Sequence, residues 1–154
     1  PRKEWDERIP FGSTAVDLGA APGGWTWQLV NRSMFVTAVD NGPMQPALME
    51  SGQVKHVQED AYRFIPADGV TLMVCDVVDK PSKTATLAAD WVIHGWSEQA
   101  IFNLKLPMKQ RYQEVVACLN LIAERFMQEG MAYELQARHL YHDREEITCY
   151  LRRL

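Results

Sequence analysis

Cysteine is scarce in this chain. Cys75, Cys118 and Cys149 lie far apart among apolar neighbours and form no C-x-x-C pair. That argues against a disulfide framework and reads as three buried, reduced thiols in a cytosolic protein. Long hydrophobic runs are missing too. None approaches the length of a bilayer-spanning helix, and the start carries no signal-peptide pattern, so no membrane partner is expected. Positive charge is not in excess. The net charge is −4, so any contact with nucleic acid must come from a local patch or from another part of a larger protein. There is no G-x-x-x-x-G-K-(S/T) loop for a bare triphosphate and no H-E-x-x-H metal motif. His139 and His142 are close in sequence, while His56 and His94 stand alone. All four read as surface or core histidines, with no metal expected.

What is present fits a globular domain. The chain has 154 residues, 47% hydrophobic and 23% charged, enough for one domain with a sizeable core. It starts with Pro1 instead of Met, which fits an excised fragment. Residues 1–12 are charged, carry Trp5 and Ile9 four apart, and are broken by Pro10 and Gly12. They read as a lead-in from a missing upstream segment, with the domain proper over 13–154.

Short apolar runs alternate with helical spacings. Strands are predicted at Thr14–Leu18, Met34–Val39, Val54–Val57, Val70–Cys75, Ala100–Leu106, Met131–Gln136 and Ile147–Leu151. Trp25–Asn31 reads as the first helix, opened by Gly23-Gly24, with Trp27 and Val30 toward the sheet. A short helix follows at Met44–Glu50. Thr84–Trp96 places Leu87, Trp91 and His94 near one face. Arg111–Gln128 is the best helix, with Tyr112, Val115, Val116, Leu119, Ile122, Ala123 and Phe126 on an apolar face and Gly130 ending it. The order predicts an α/β, Rossmann-like fold: about seven mostly parallel strands, an antiparallel last strand and helices on both faces.

The stretch from Asp17 to Trp25 (DLGAAPGGW) joins the first strand to the first helix. Such a turn lies at the carboxyl edge of the sheet, where open α/β folds bind ligands. Asp40 closes the second strand about 20 residues later, the position that holds ribose hydroxyls in dinucleotide-binding folds. Asp60 follows the third strand and Asp76 the fourth. Carboxylates at Asp17, Asp40, Asp60 and Asp76 suit a cationic or hydroxyl-rich ligand. Lys105 is unusual, a lysine inside the apolar run Ile101–Leu106. Buried lysine is costly unless paired, and one with a depressed pKa can act as a general base. Asp76 and a nearby glutamate act in the opposite direction, and the structural alternative to a general base is an edge position or an ion pair.

Several separated stretches resemble one family. DLGAAPGGW at 17–25, AVDNGPM at 38–44, NLKLPMK at 103–109 and YHDREE at 141–146 are similar to the FtsJ-like ribose 2′-O-methyltransferases. The resemblance covers nearly the whole chain. It is strongest to the members that methylate the ribose 2′-hydroxyl of a cytidine in bacterial 23S rRNA. It implies a Rossmann-like methyltransferase fold, S-adenosylmethionine as cofactor and a Lys-Asp-Lys-Glu tetrad. Asp76 matches the aspartate, Lys105 the proton-accepting lysine, and Glu146 the glutamate, with Glu145 an alternative by one position. The first lysine has no match, since Lys3 is too close to the first strand. Ala21, Pro22, Gly23, Gly24 and Trp25 are implied around the methionine and ribose, Asp40 at the ribose hydroxyls, Asp60 at the adenine, and Asp76 also near the sulfonium. Such proteins carry an N-terminal RNA-binding region with a THUMP domain, absent from this chain. Lys80, Lys83, Lys109 and Arg111 flank the strand-end loops and are candidates for phosphate contacts. A small-molecule O-methyltransferase and a non-catalytic nucleotide- or RNA-binding module are the alternatives. Lys105 with Asp76 and Glu146 argues for a ribose hydroxyl.

Overall fold

Apolar strand cores and helix caps set where each element starts and stops. The computed structural model describes residues 9–10, 12–139 and 145–154. Most of the expected lead-in, including Lys3 and Trp5, and the loop with His142 lie outside the described residues. The strands are β1 (Thr14–Leu18), β2 (Phe35–Val39), β3 (Val54–Val57), β4 (Val70–Cys75), β5 (Ser97–Lys105), β6 (Tyr133–Arg138) and β7 (Glu146–Arg153). The helices are α1 (Gly24–Asn31), α2 (Pro46–Glu50), α3 (Pro81–Ile93) and α4 (Arg111–Gln128).

The chain divides into two compact units, one ending at Val74 and one from Cys75 to Leu154. In the first, the strand order is β3-β2-β1-β4. β1 and β3 both run parallel to β2, with Ala15 opposite Val36 and Val36 opposite Val54. Ala15, Val16 and Leu18 of β1 and Leu72 to Val74 of β4 are all buried. Continuous apolar runs of this kind mark strands covered on both faces. In the second unit the order is β5-β7-β6, and β7 is antiparallel to both neighbours. The seven-stranded mixed sheet, parallel early and antiparallel at the last strands, is the expected fold class.

Helix caps account for shifted boundaries. At the end of α4, Met131 N–H donates to the Phe126 carbonyl and Gly130 N–H to the Met127 carbonyl, both at 3.0 Å, with Gly130 at φ +63°. This Schellman closure uses Met131 for the helix, so β6 starts at Tyr133 and not at Met131. Ser33, at φ +60°, closes α1 in the same way and takes Met34 out of β2. The buried face of α1 also differs from expectation. Thr26 and Leu29 are buried, while Trp27 is 54% exposed. Thr26 turns inward because its hydroxyl donates to Asp17 Oδ2 at 2.7 Å. In α3, Leu87 and Trp91 are buried as expected, but His94 caps the helix and is exposed. The buried residues of α4 are Cys118, Ile122 and Phe126, and Tyr112 stands outside the core.

Candidate active site

The β5–β7 register builds a polar cluster in the second unit. Lys105 lies opposite Glu146, and two residues further in, on the same strand face, Asn103 lies opposite Thr148. Lys105 Nζ is 2.5 Å from Glu146 Oε2 and 2.7 Å from Asp76 Oδ1. Asp76 directly follows β4. Its Oδ1 also accepts Asn103 Nδ2 at 3.1 Å, and Thr148 Oγ1 donates to Asn103 Oδ1 at 2.6 Å. Lys105, Asp76 and Glu146 are partly exposed, whereas Asn103 and Thr148 are buried. Glu146 is the glutamate that meets Lys105, and the backbone carbonyl of Glu145 accepts Leu106 N–H at 2.7 Å.

The expectation of a depressed Lys105 pKa is corrected. Burial alone pulls it down, but the hydrogen bonds and charges of Asp76 and Glu146 outweigh burial and raise it above the ordinary lysine value. Lys105 is therefore an ammonium clamped between two carboxylates. The cluster carries one cation and two anions. It donates hydrogen bonds to an incoming oxygen through Lys105 and holds an acceptor on either side. Lys105 takes a proton only after giving one up.

Asn103 and Thr148 carry no motif signal as single residues. The usable signal is period two: each lies two positions from a motif residue, on the same strand face.

The first unit holds the glycine turn. Gly19 and Ala20 N–H donate to the Val39 carbonyl at 2.8 and 3.2 Å, tying the turn to the end of β2. Asp40 secures it from the other side. Its Oδ2 accepts Ala21 N–H at 2.9 Å and its Oδ1 accepts Gly42 N–H at 2.8 Å. His56 Nε2 bonds the Asp40 carbonyl at 3.0 Å, which gives this histidine a structural role. Pro22 is exposed, and Ala21 and Trp25 are half-buried. Asp60 is exposed, and its Oδ1 accepts Tyr62 N–H at 2.8 Å within its own turn. Asp17 leaves the set of edge carboxylates, because it is 1% exposed and bonds Thr26.

Two adjacent glycines do different work. Gly23 has φ +134°, and a Cβ there would lie 2.3 Å from Leu48 Cδ1. Gly24 has no atom within 4 Å of its Cβ position. Gly23→Ala is therefore expected to destabilise the fold by about 1–3 kcal/mol, the scale for a strained backbone position. Gly24→Ala should leave stability within about 0.5 kcal/mol. Urea unfolding of both variants checks this, and a Gly23→Ala protein as stable as the unmodified chain overturns it.

The remaining reactive side chains are quiet. Burial raises the Cys118 thiol to about 11 and the Cys149 thiol to about 12, so both stay protonated and inert. No cluster of metal-ligating side chains occurs among the described residues.

A glycine turn after β1, an acidic clamp at the end of β2 and this strand order define a Rossmann-like methyltransferase domain. Within that class the chain belongs to the FtsJ-like methyltransferase family, whose pattern matches residues 3–126. It is 59% identical over 154 residues to ribosomal RNA large subunit methyltransferase M of Pectobacterium carotovorum, covering 99% of this chain and 42% of that protein. The Pseudomonas fluorescens protein of the same name is 55% identical, with 100% and 43% covered. The chain thus spans less than half the length of these relatives. Among solved structures, the Methanococcus jannaschii fibrillarin pre-rRNA processing protein matches with TM-score 0.72 at 11% identity, over 95% of this chain and 68% of that one. Aeropyrum pernix fibrillarin, solved with natively bound S-adenosyl-L-methionine, matches with TM-score 0.62 at 15% identity, over 94% and 68%. At such identities the structures speak for the fold alone.

Proposed function

We propose that this chain is the catalytic domain of an enzyme that transfers a methyl group from S-adenosylmethionine to the ribose 2′-hydroxyl of a cytidine in bacterial 23S rRNA. The observation that carries the reading is Lys105 held between Asp76 and Glu146 at a strand end. The rRNA methyltransferases that resemble the chain support the substrate class.

The turn fits the cofactor. Gly24 leaves open space, Pro22 is exposed, and the Asp40 oxygens keep lone pairs free beyond their two backbone bonds. Ala21, Pro22, Gly23, Gly24 and Trp25 would surround the methionine and ribose, Asp40 would accept from the ribose hydroxyls, and Asp60 would meet the adenine edge. The negative charge of Asp76 complements a sulfonium. When bound, the cofactor supplies an electrophilic methyl group. Lys105, once it has lost its own proton to solvent, would accept the proton of the ribose hydroxyl as the oxygen is methylated, while Asp76 and Glu146 orient the amine. Most of the acceleration comes from holding the reactants in line.

RNA is the natural partner for the loops beside the cluster. Lys80, Lys83, Lys109 and Arg111 supply cations for phosphates, although Lys83 also pairs with Asp79 at 3.9 Å. Tyr112, 80% exposed next to Arg111, offers an aromatic face for an unpaired base. The fuller protein's additional region, with its expected THUMP domain, would add RNA affinity. The test is a map of ribose methylation in rRNA from cells lacking the full-length protein. One cytidine of 23S rRNA should lose its 2′-O-methyl group and regain it on complementation. An unchanged map overturns the reading in favour of a small-molecule acceptor or a non-catalytic module.

A further inference from the structure

We infer that Asn103 and Thr148 form a buried positioning relay that sets the direction of the Asp76 carboxylate and, through it, of Lys105 Nζ. The inference rests on the ribose methyltransferase reading for its kinetic consequences but not for its geometry.

An asparagine has an acceptor end and a donor end, and flipping it exchanges them. Asn103 is 5% exposed, two residues before the end of β5, flanked by the fully buried Phe102 and Leu104. A polar side chain there is costly unless its ends are satisfied. Its donor end reaches Asp76 Oδ1 at 3.1 Å. Its acceptor end takes the Thr148 hydroxyl at 2.6 Å. Thr148 is 4% exposed, so water does not compete for that bond. The ionised Asp76 carboxylate only accepts, so it requires the NH₂ end, and the Thr148 hydroxyl, able to donate or accept, donates to the oxygen end. Flipped, Asn103 would set its oxygen against the Asp76 carboxylate and its NH₂ against the Thr148 hydroxyl.

The relay ends on the oxygen that matters. Asp76 Oδ1 receives both Asn103 Nδ2 and, at 2.7 Å, Lys105 Nζ. One carboxylate oxygen is thus held from inside the protein by a neutral donor and from the reactive side by the ammonium. The cross-strand pairs Asn103–Thr148 and Lys105–Glu146 are neighbours on one face of β5 and β7. Any tilt of Asp76 is passed to Lys105, whose position relative to the ribose oxygen decides the rate. Burial of polar side chains for fold specificity alone requires no contact with Asp76. Asn103 and Thr148 are positioning residues, since neither is expected to touch a substrate.

Thr148→Val keeps the shape and removes the hydroxyl; Thr148→Ser keeps the hydroxyl and removes a methyl group. In the full-length protein, Thr148→Val and Asn103→Ala should lower kcat, by up to about 10²-fold for the direct loss of the Asp76 contact, the scale for a misplaced reacting group. KM for rRNA and Kd for S-adenosylmethionine should stay unchanged. Thr148→Ser should recover most of kcat. A second readout needs no turnover: titration of the Lys105 side chain by NMR in the ligand-free protein. Without the Asn103 donor, Asp76 concentrates its charge on Lys105, so the lysine should titrate at higher pH in Asn103→Ala, and in the same direction in Thr148→Val, where the amide loses its anchor and its hold on Asp76 loosens. A residue that only stabilises the fold would lower Tm and leave that titration in place. Unchanged Lys105 titration in Thr148→Val, or a serine variant no better than valine, overturns the relay. If Asn103→Ala does not fold, the near-isosteric threonine pair decides. If the unmodified protein fails to methylate rRNA, the functional reading falls and the Lys105 titration still judges the relay.

Discussion

Lys105→Ala in the full-length protein should abolish methyl transfer, lowering it by at least the 10²- to 10⁴-fold typical of a lost acid–base group, while S-adenosylmethionine affinity stays within about twofold. Lys105 touches Asp76 and Glu146 and takes no part in the glycine turn. Lys105→Arg tests charge against proton transfer. Arginine keeps the cation between the carboxylates but does not deprotonate. If Lys105 is the proton acceptor, arginine is as inactive as alanine. If only its charge matters, arginine retains substantial activity. Tritium transfer to rRNA beside calorimetry with the cofactor separates these outcomes, and retained transfer in Lys105→Ala sinks the assignment.

The raised pKa gives the same hypothesis a pH signature. The two carboxylates hold the pKa of the Lys105 ammonium above the ordinary lysine value. Below that value the neutral amine grows tenfold per pH unit, so a rate limited by chemistry through free amine should climb with slope near one from pH 7 to pH 10. Glu146→Gln removes one of the two raising charges and should move the curve to lower pH. A flat profile over this range places the proton elsewhere. Linkage follows the same sign. A group whose folded pKa is raised stabilises the fold below its unfolded pKa, and that contribution disappears as pH rises through the folded value. The Lys105 contribution to stability should therefore be constant at neutral pH and fade only in strong alkali.

Sequence pattern reached some parts of this molecule better than others. β1, β3, β4 and α4 follow from apolar runs bounded by polar residues, and their predicted limits coincide with those observed. Asp76 and Lys105 were legible because a charge closing or interrupting an apolar strand is conspicuous, and Glu146 through the family resemblance; the β5–β7 register sets Lys105 opposite Glu146, and Asp76 reaches it from the end of β4. Three features depended on spatial neighbours that no local pattern encodes. The Lys105 pKa direction turns on two carboxylates, one of them 41 residues away. Thr26 displaced Trp27 from the buried face of α1 because Asp17 needed a donor inside the fold. Asn103 and Thr148 acquire meaning only as opposite members of an antiparallel pair.

Asp40→Ala should weaken S-adenosylmethionine binding by about 1–3 kcal/mol, the scale for hydrogen bonds lost at a buried partner. At 1.4 kcal/mol per decade this is roughly a 5- to 150-fold rise in Kd. Asp40 is also a staple, since its two oxygens hold the backbone N–H groups of Ala21 and Gly42. A loss of affinity could therefore come through the turn instead of the ribose, and two further measurements separate the routes. Asp40→Asn is not a conservative control, because its NH₂ end would face one of those N–H donors. It should loosen the turn while keeping one acceptor. The Tm of each ligand-free variant measures the staple, because no cofactor bond contributes there. Calorimetry with S-adenosylmethionine and with an analogue lacking the ribose hydroxyls measures the contact. If Asp40 accepts from the hydroxyls, the analogue binds the unmodified protein weakly and Asp40→Ala discriminates the two ligands far less. If Asp40 acts only as a staple, the mutation weakens both ligands equally and the discrimination survives. That second result would keep the turn as the binding element and remove Asp40 from the list of residues that touch the cofactor.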